Sequence, residues 1–214
     1  MNRSAEAICA AWSLLLQLGL ASVAGAQDRP SQPVPQARLD SVMRRVESMQ
    51  PRSGPPGTAV TLRSGRMPAL TPLRIGMGAV RFGFEEIAQV MTDEKGEFQV
   101  EVRVPSWARR DLTHRFIVFD FYFNPIALSD LFFVTDGAGV LERAGEVVSV
   151  DAPCPVLRAE DGTEYWLSGD LSGLRRGALV VVEGKLTGPS TCPEEAGIVV
   201  ERVSRRSGTR NRER

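Results

Sequence analysis

From residue 53 to residue 203 the chain is a succession of short apolar or alternating runs, each closed by glycine, proline or Asp-Gly before a helical stripe could form. Six such runs come first: SGPPGTAVTLRSG (53–65), LRIGMG from 73, GFEEIAQVMTD from 83, GEFQVEVRVP from 96, THRFIVFDFYF from 113 and IALSDLFFVTD from 126. In the first of them Val60 and Leu62 alternate with Thr61 and Arg63, the period of a half-buried strand. Strands spaced this closely leave no room for crossover helices, so the fold class is all-β and the first group predicts an antiparallel sandwich.

The glycine-rich stretch TDGAGVLERAG (135–145) ends this group and sets a domain boundary near Gly139. Five further runs follow: GEVVSVD from 145, PVLRA from 155, EYWLS from 164, ALVVVEGKL from 178 and GIVVERV from 197. Between the third and fourth, GDLSGLRRG is long enough only for a helical turn. Three strands, a short helical element and two strands is the order of an OB-like barrel.

The flanks differ from both groups. Residues 1–26 read as a signal peptide: Arg3, the apolar run ICAAWSLLLQLGLASVA and the small-x-small site Ala24-Gly25-Ala26, with the mature chain expected to start at Gln27. QDRPSQPVPQ (27–36) is a flexible linker. Over 37–50, Leu39, Val42, Met43, Val46 and Met49 share one face of a short helix that Pro51 stops. That helix packs on the next domain or, alternatively, binds a partner. Residues 204–214, charged and poor in apolar anchors, read as a disordered basic tail.

Removal of the signal leaves two cysteines, Cys154 and Cys192, in neither a C-x-x-C nor a metal-ligand spacing. An even pair in an exported chain points to a disulfide. Residues 141–200 carry ten acids against five bases, and residues 201–214 six arginines against two glutamates. An acidic barrel with only Tyr165 and Trp166 as aromatics lacks the basic, stacking groove of a nucleic-acid site. The tail could touch anionic surfaces weakly.

The pattern G-P-P-G-T-x-V-x-L, then T-D-x-x-G-E-F, V-P and F-F-V-T-D resembles the IPT/TIG type of immunoglobulin-like domain over residues 51–138. That resemblance implies a sandwich used as a spacer or interaction module and carries no catalytic residues. Over residues 139–203, C-P-V-L-R-x-x-D-G-x-x-Y-x-L-x-G, L-x-x-G-x-x-V-x-V-x-G and a second cysteine before the last strand resemble a bacterial family of secreted domains of unknown function. That resemblance implies a small disulfide-bearing barrel.

No stretch supplies a catalytic set. CPVLRAEDGTEYWLSGD (154–170) is dense in polar groups, but a two-residue turn at Asp161-Gly162 makes it a hairpin that pairs Leu157 with Trp166 and Arg158 with Tyr165, leaving Glu160 and Asp161 solvated at the tip. His114, the sole histidine, reads as an ordinary strand residue, and no metal, cofactor or phosphate-loop motif is present. In RFIVFDFYF (115–123) one face carries Phe116, Val118, Asp120 and Tyr122 and the other Ile117, Phe119, Phe121 and Phe123, a strand buried on both sides. Asp120 and Tyr122, together with Trp107, are the candidate binding surface. The resulting expectation is an exported, non-enzymatic binding or structural module of the bacterial envelope or extracellular space, with an envelope protein or glycan as partner. Its rival is a polysaccharide hydrolase or lyase using carboxylates such as Asp120 or Glu164 as acid and base.

Overall fold

The computed structural model describes residues 42, 44–79, 82–151, 155–188, 192 and 196–206, and every regular element among them is a β-strand. The signal segment, the linker, Cys154 and residues 207–214 lie outside the described residues. Among the described residues no helix is long and apolar enough to cross a membrane.

Two sheets enclose the first core. β1 (Ser48–Gln50), β3 (Ala59–Ser64) and β6 (Phe98–Arg103) form one. The other runs β2 (Ser53–Gly54), β9 (Phe132–Val134), β7 (Thr113–Phe119), β4 (Pro72–Ala79) and β5 (Gly83–Met91), with β8 (Pro125–Leu128) paired to β7. Val60 and Leu62 from β3 meet Ile75 and Met77 from β4 and Phe116 and Val118 from β7 in one apolar cluster. The opposite face of β7, Ile117 and Phe119, is covered by Val42, Phe84 and Leu128. Both faces of β7 are therefore dry, which explains a run apolar at nearly every position.

The helix expected over 37–50 does not form in its described part. Val46 N–H donates to Leu128 O (2.9 Å) and Glu47 N–H to Arg63 O (2.9 Å), and Ser48–Gln50 is strand β1. The helical spacing of Val42, Val46 and Met49 had another cause: Val42 joins the cluster outside β7, while Val46 and Met49 join the core between the sheets. One helix face could not serve two separated cores. The run from 113 is also shorter than its sequence suggests, because β7 ends at Phe119 and residues 120–124 turn. The run from 126 divides into β8 and β9 at Ser129, whose hydroxyl accepts from Phe116 N–H (2.9 Å) and donates to Asp130 O (2.6 Å).

The second unit is a closed barrel of β10 (Val140–Ser149), β11 (Val156–Ala159), β12 (Glu164–Gly169), β14 (Ala196–Arg205) and β13 (Leu179–Thr187), in that order, with β10 pairing β13 to close it. The β12–β14 pair is parallel and the others antiparallel. β10 begins five residues earlier than the run GEVVSVD, since Val140 to Ala144 already pair with Lys185 to Val181. β14 continues to Arg205, so Ser204 and Arg205 of the expected tail belong to the barrel. Residues 170–178, where a helical turn was expected, contain turns and no helix.

Candidate functional site

The predicted surface residues separate. Asp120 starts a tight turn and holds it: Oδ1 accepts from Tyr122 N–H (2.9 Å) and Asn124 N–H (2.8 Å), and Oδ2 from Asn124 Nδ2 (2.8 Å). This side-chain mimicry of a turn carbonyl is the usual work of aspartate in a loop. It leaves Phe121 62% and Tyr122 79% exposed, their rings edge to face at 5.4 Å. The Arg74 guanidinium, paired with Glu86 at 2.7 Å, lies 5.4 Å from the Phe121 ring and 4.6 Å from Phe123, bracing the turn from below. Trp107 lies elsewhere, half-buried beside His114 at the opposite end of β7, its indole N–H donating to Glu85 Oε2. Asp120 and Tyr122 thus share a site that excludes Trp107. Tyr122 also leaves the face of Phe116 and Val118, because the strand ends before it.

The 154–170 hairpin is structural, in a register one residue away from the expected one. Leu157 faces Tyr165, Arg158 faces Glu164 and Val156 faces Trp166. Three residues, 160–162, close it, with Ala159 N–H donating to Thr163 O (2.8 Å) and Gly162 at φ 88°, the left-handed position that such loops give to glycine. Tyr165 is consequently inside the barrel, while Trp166 faces outward over Gly197, where a Cβ would lie 2.1 Å from Trp166 Cε2. Glu164 pairs with Arg158 at 2.7 Å, and Glu160 pairs with Arg206 rather than standing free. Both carboxylates of the hydrolase reading are engaged, Asp120 by its turn in the sandwich and Glu164 by an ion pair in the barrel.

Residues 139–206 match the model of a family described as a protein of unknown function (DUF5818). The match covers the whole barrel and none of the sandwich strands. No curated protein and no solved structure matches the chain.

The DUF5818 region meets the sandwich through Arg143, Tyr165 and Thr113. Arg143 on β10 is 1% exposed and occupies the inward row of Leu141, Arg143 and Val147. Its Nε donates to Tyr165 Oη (2.9 Å), which is 3.0 Å from Thr113 Oγ1 on β7, and its Nη1 donates to the carbonyls of Arg110 and Glu142 (both 2.6 Å). Phe133 and Tyr165 flank the guanidinium, 5.9 and 5.4 Å away. No carboxylate pairs with it among the described residues; carbonyls, a phenol and two ring faces surround it, and its Nη2 is buried without a hydrogen-bond partner among them. His114, fully buried beside this network, donates from Nδ1 to Leu112 O (3.0 Å). Burial, and then the nearby Arg143 charge, push its pKa down to about 4, so the ring is neutral.

At the rim, Arg110 reaches Asp136 (3.6 Å), Glu142 (3.1 Å) and Glu183 (3.4 Å), a sandwich cation set among acids of the connection and the barrel. Asp136 also closes the 135–139 connection, accepting from Ala138 N–H (2.8 Å) and Val140 N–H (2.9 Å). The Val140 hydrogen bond, more than any other cause, holds the Asp136 carboxyl below the usual carboxylate range. The signal for this junction lies in the alternation of VLERAGEV, where an arginine falls on the apolar parity of β10; the glycine-rich stretch 135–145 masks it, because the strand begins within that stretch. Among the described residues no group of three His, Cys, Asp or Glu converges on a metal position.

Proposed function

We propose that the chain is an exported, non-enzymatic binding module of the bacterial envelope or extracellular space, built from an immunoglobulin-like sandwich of the IPT/TIG type and an OB-like barrel. The observation that carries the reading is the turn 120–124: two adjacent aromatic rings are exposed on a backbone that Asp120 holds in one conformation. Exposed aromatics on a pre-ordered turn lose little conformational entropy on binding, which suits a contact with an envelope protein or a glycan.

The sandwich assignment is supported by the sheet order. β1 and β2 put the first stretch of chain on opposite sheets, and β9-β7-β4-β5 repeats the G-F-C-C′ order of variable-type immunoglobulin domains. The barrel assignment is supported by closure of five strands with the third and fifth parallel. Export is supported by the N-terminal signal pattern and by the even pair of cysteines, Cys154 and Cys192, that its removal leaves. Cys154, the other cysteine left after removal of the signal, is the partner we assign to Cys192.

The reading is tested by exposing the purified chain to a glycan array and to envelope fractions, alongside the double variant F121S/Y122S. Capture of a defined glycan or protein that the variant reduces at least roughly tenfold supports it. Equal capture by parent and variant, or none by either, overturns it.

A further inference from the structure

We propose that one open end of the barrel is a binding site for a small organic oxyanion with an apolar body, gripped by Arg175 and Arg205. A cavity of about 300 Å³ lies there, between the 170–178 connection and the ends of β13 and β14, with Ser172, Val180 and Val203 also on its wall. Its position follows from the ladder. Val182 pairs with Val203 and Val180 with Arg205, and residues directly opposite in an antiparallel pair point to the same face. Val180 and Val182 are both buried in the barrel core, so Val203 and Arg205 stand on the inward row. That row ends in a cation at the mouth of the barrel.

The connection brings the second cation. Leu171 and Leu174 pack against the core, Ser172 N–H donates to Asp170 Oδ1 (2.9 Å), and Gly177 N–H donates to Val147 O (2.8 Å). Arg175 is carried on the segment so fastened, and its carbonyl accepts from Ala178 N–H (3.0 Å).

Charge pairing together with position marks these two arginines: of the exposed barrel arginines without an ion pair among the described residues, Arg175 and Arg205 line the cavity and Arg176 does not. In the same barrel Arg158 pairs with Glu164, Lys185 with Glu201, Arg202 with Glu183 and Arg206 with Glu160. Arg175 and Arg205 make no ion pair among the described residues, although residues 141–200 hold twice as many acids as bases. Two unneutralised guanidiniums around one concavity raise the local potential, and a bound anion relieves their repulsion. Each guanidinium offers a planar fork that matches a carboxylate or phosphate. The apolar wall of Val180, Val203 and Ala178 selects for an attached hydrocarbon group, and the volume, at the low end of the ~300–1,000 Å³ typical of ligand pockets, admits about one ring.

Phenyl phosphate is the first probe, titrated calorimetrically into the full chain at low salt, with benzoate separating carboxylate from phosphate ester. Saturable binding with a Kd of about 1 mM or tighter is expected for at least one of them, weakened roughly tenfold in R175Q/R205Q and unchanged in R202Q. Benzyl alcohol, lacking the charge, and inorganic phosphate, lacking the ring, should each bind at least roughly tenfold more weakly. Both arginines are exposed, so the double variant should keep the parent melting temperature. The proposal is overturned by absence of saturation with both anions, by equal affinity in a folded R175Q/R205Q protein, or by inorganic phosphate binding as well as phenyl phosphate.

Discussion

The sandwich fills its core from its own strands, whereas the barrel takes Leu131 and Phe133 from the sandwich and encloses a guanidinium. Both units are built from mainly antiparallel ladders, yet their interiors differ in chemistry. Between the two sheets the packing is apolar. Inside the barrel, Arg143 and Tyr165 share the space with Leu141, Leu157 and Ile198, and their polar ends turn toward Thr113 and the carbonyl of Arg110. A small barrel buries too little apolar surface to be comfortably stable alone. Here the neighbouring unit completes it, with Leu131 and Phe133 packed into its core and hydrogen bonds from Arg143 and Tyr165 reaching back. The lesson is that the barrel is conditional on the sandwich, and the reverse holds less strongly.

The largest test is to separate them. A fragment of residues 139–206 should lack a cooperative thermal transition and show poor amide dispersion, since Phe133, Thr113 and the Arg110 carbonyl are gone from its edge. A fragment that melts as the full chain does would end the comparison. Next in size is R143A. It empties a large buried volume and removes the guanidinium donor from Tyr165 Oη and from the carbonyls of Glu142 and Arg110, the last of which keeps the Glu142 N–H. The expected loss is about 4 kcal/mol in denaturant titration. The loss should fall on the barrel transition, followed through Tyr165 and Trp166. An R143A protein within ~0.5 kcal/mol of the parent would mean that the guanidinium is dispensable.

Acid gives a comparable but graded effect. His114 titrates at about 4 in the folded protein against 6.5 for the free side chain, so between these values the unfolded chain binds the extra proton. Stability is therefore full above pH 6.5, falls as pH drops through this window, and has lost about 3 kcal/mol from this group near pH 4. The groups facing the ring are Arg143 and Arg109, which oppose its protonation, and Asp111, which favours it. Melting across pH 4–7 should show the slope, and H114F should flatten it by close to one proton. An unchanged slope in H114F would assign the acid loss to other groups. The smallest stability effect is predicted for F121S/Y122S, within ~0.5 kcal/mol of the parent in the same titration, because these rings are largely solvated. A larger loss would make the aromatic turn a packing element.

Much of this fold was legible along the chain. The positions of the strands follow from period-two alternation and glycine-rich turns, as Val60 and Leu62 on β3 and the two-faced apolar run of β7 show. The site was less legible. Aromatic residues resume after Asp120 and run to Phe123, so the alternation continues past the end of β7; the Asp120 carboxylate, bonding to two amides beyond it, makes the turn. The 154–170 register was displaced by one residue because Asp161-Gly162 suits a two-residue and a three-residue loop alike, and a shift of one reverses which aromatic points inward.

Taken alone, the amino-acid sequence determined the all-β class, the positions of most strands and the acidic character of the barrel, all of which are local or compositional properties. Tertiary structure decided what each side chain meets. Only closure of the barrel against the sandwich turns Arg143 from a charge on an alternating strand into a buried donor and sets His114 beside it, and only closure of the barrel on itself puts Arg205 and Arg175 on one cavity wall. Those contacts join residues far apart in the chain, and their energies depend on desolvation and geometry that no local pattern encodes.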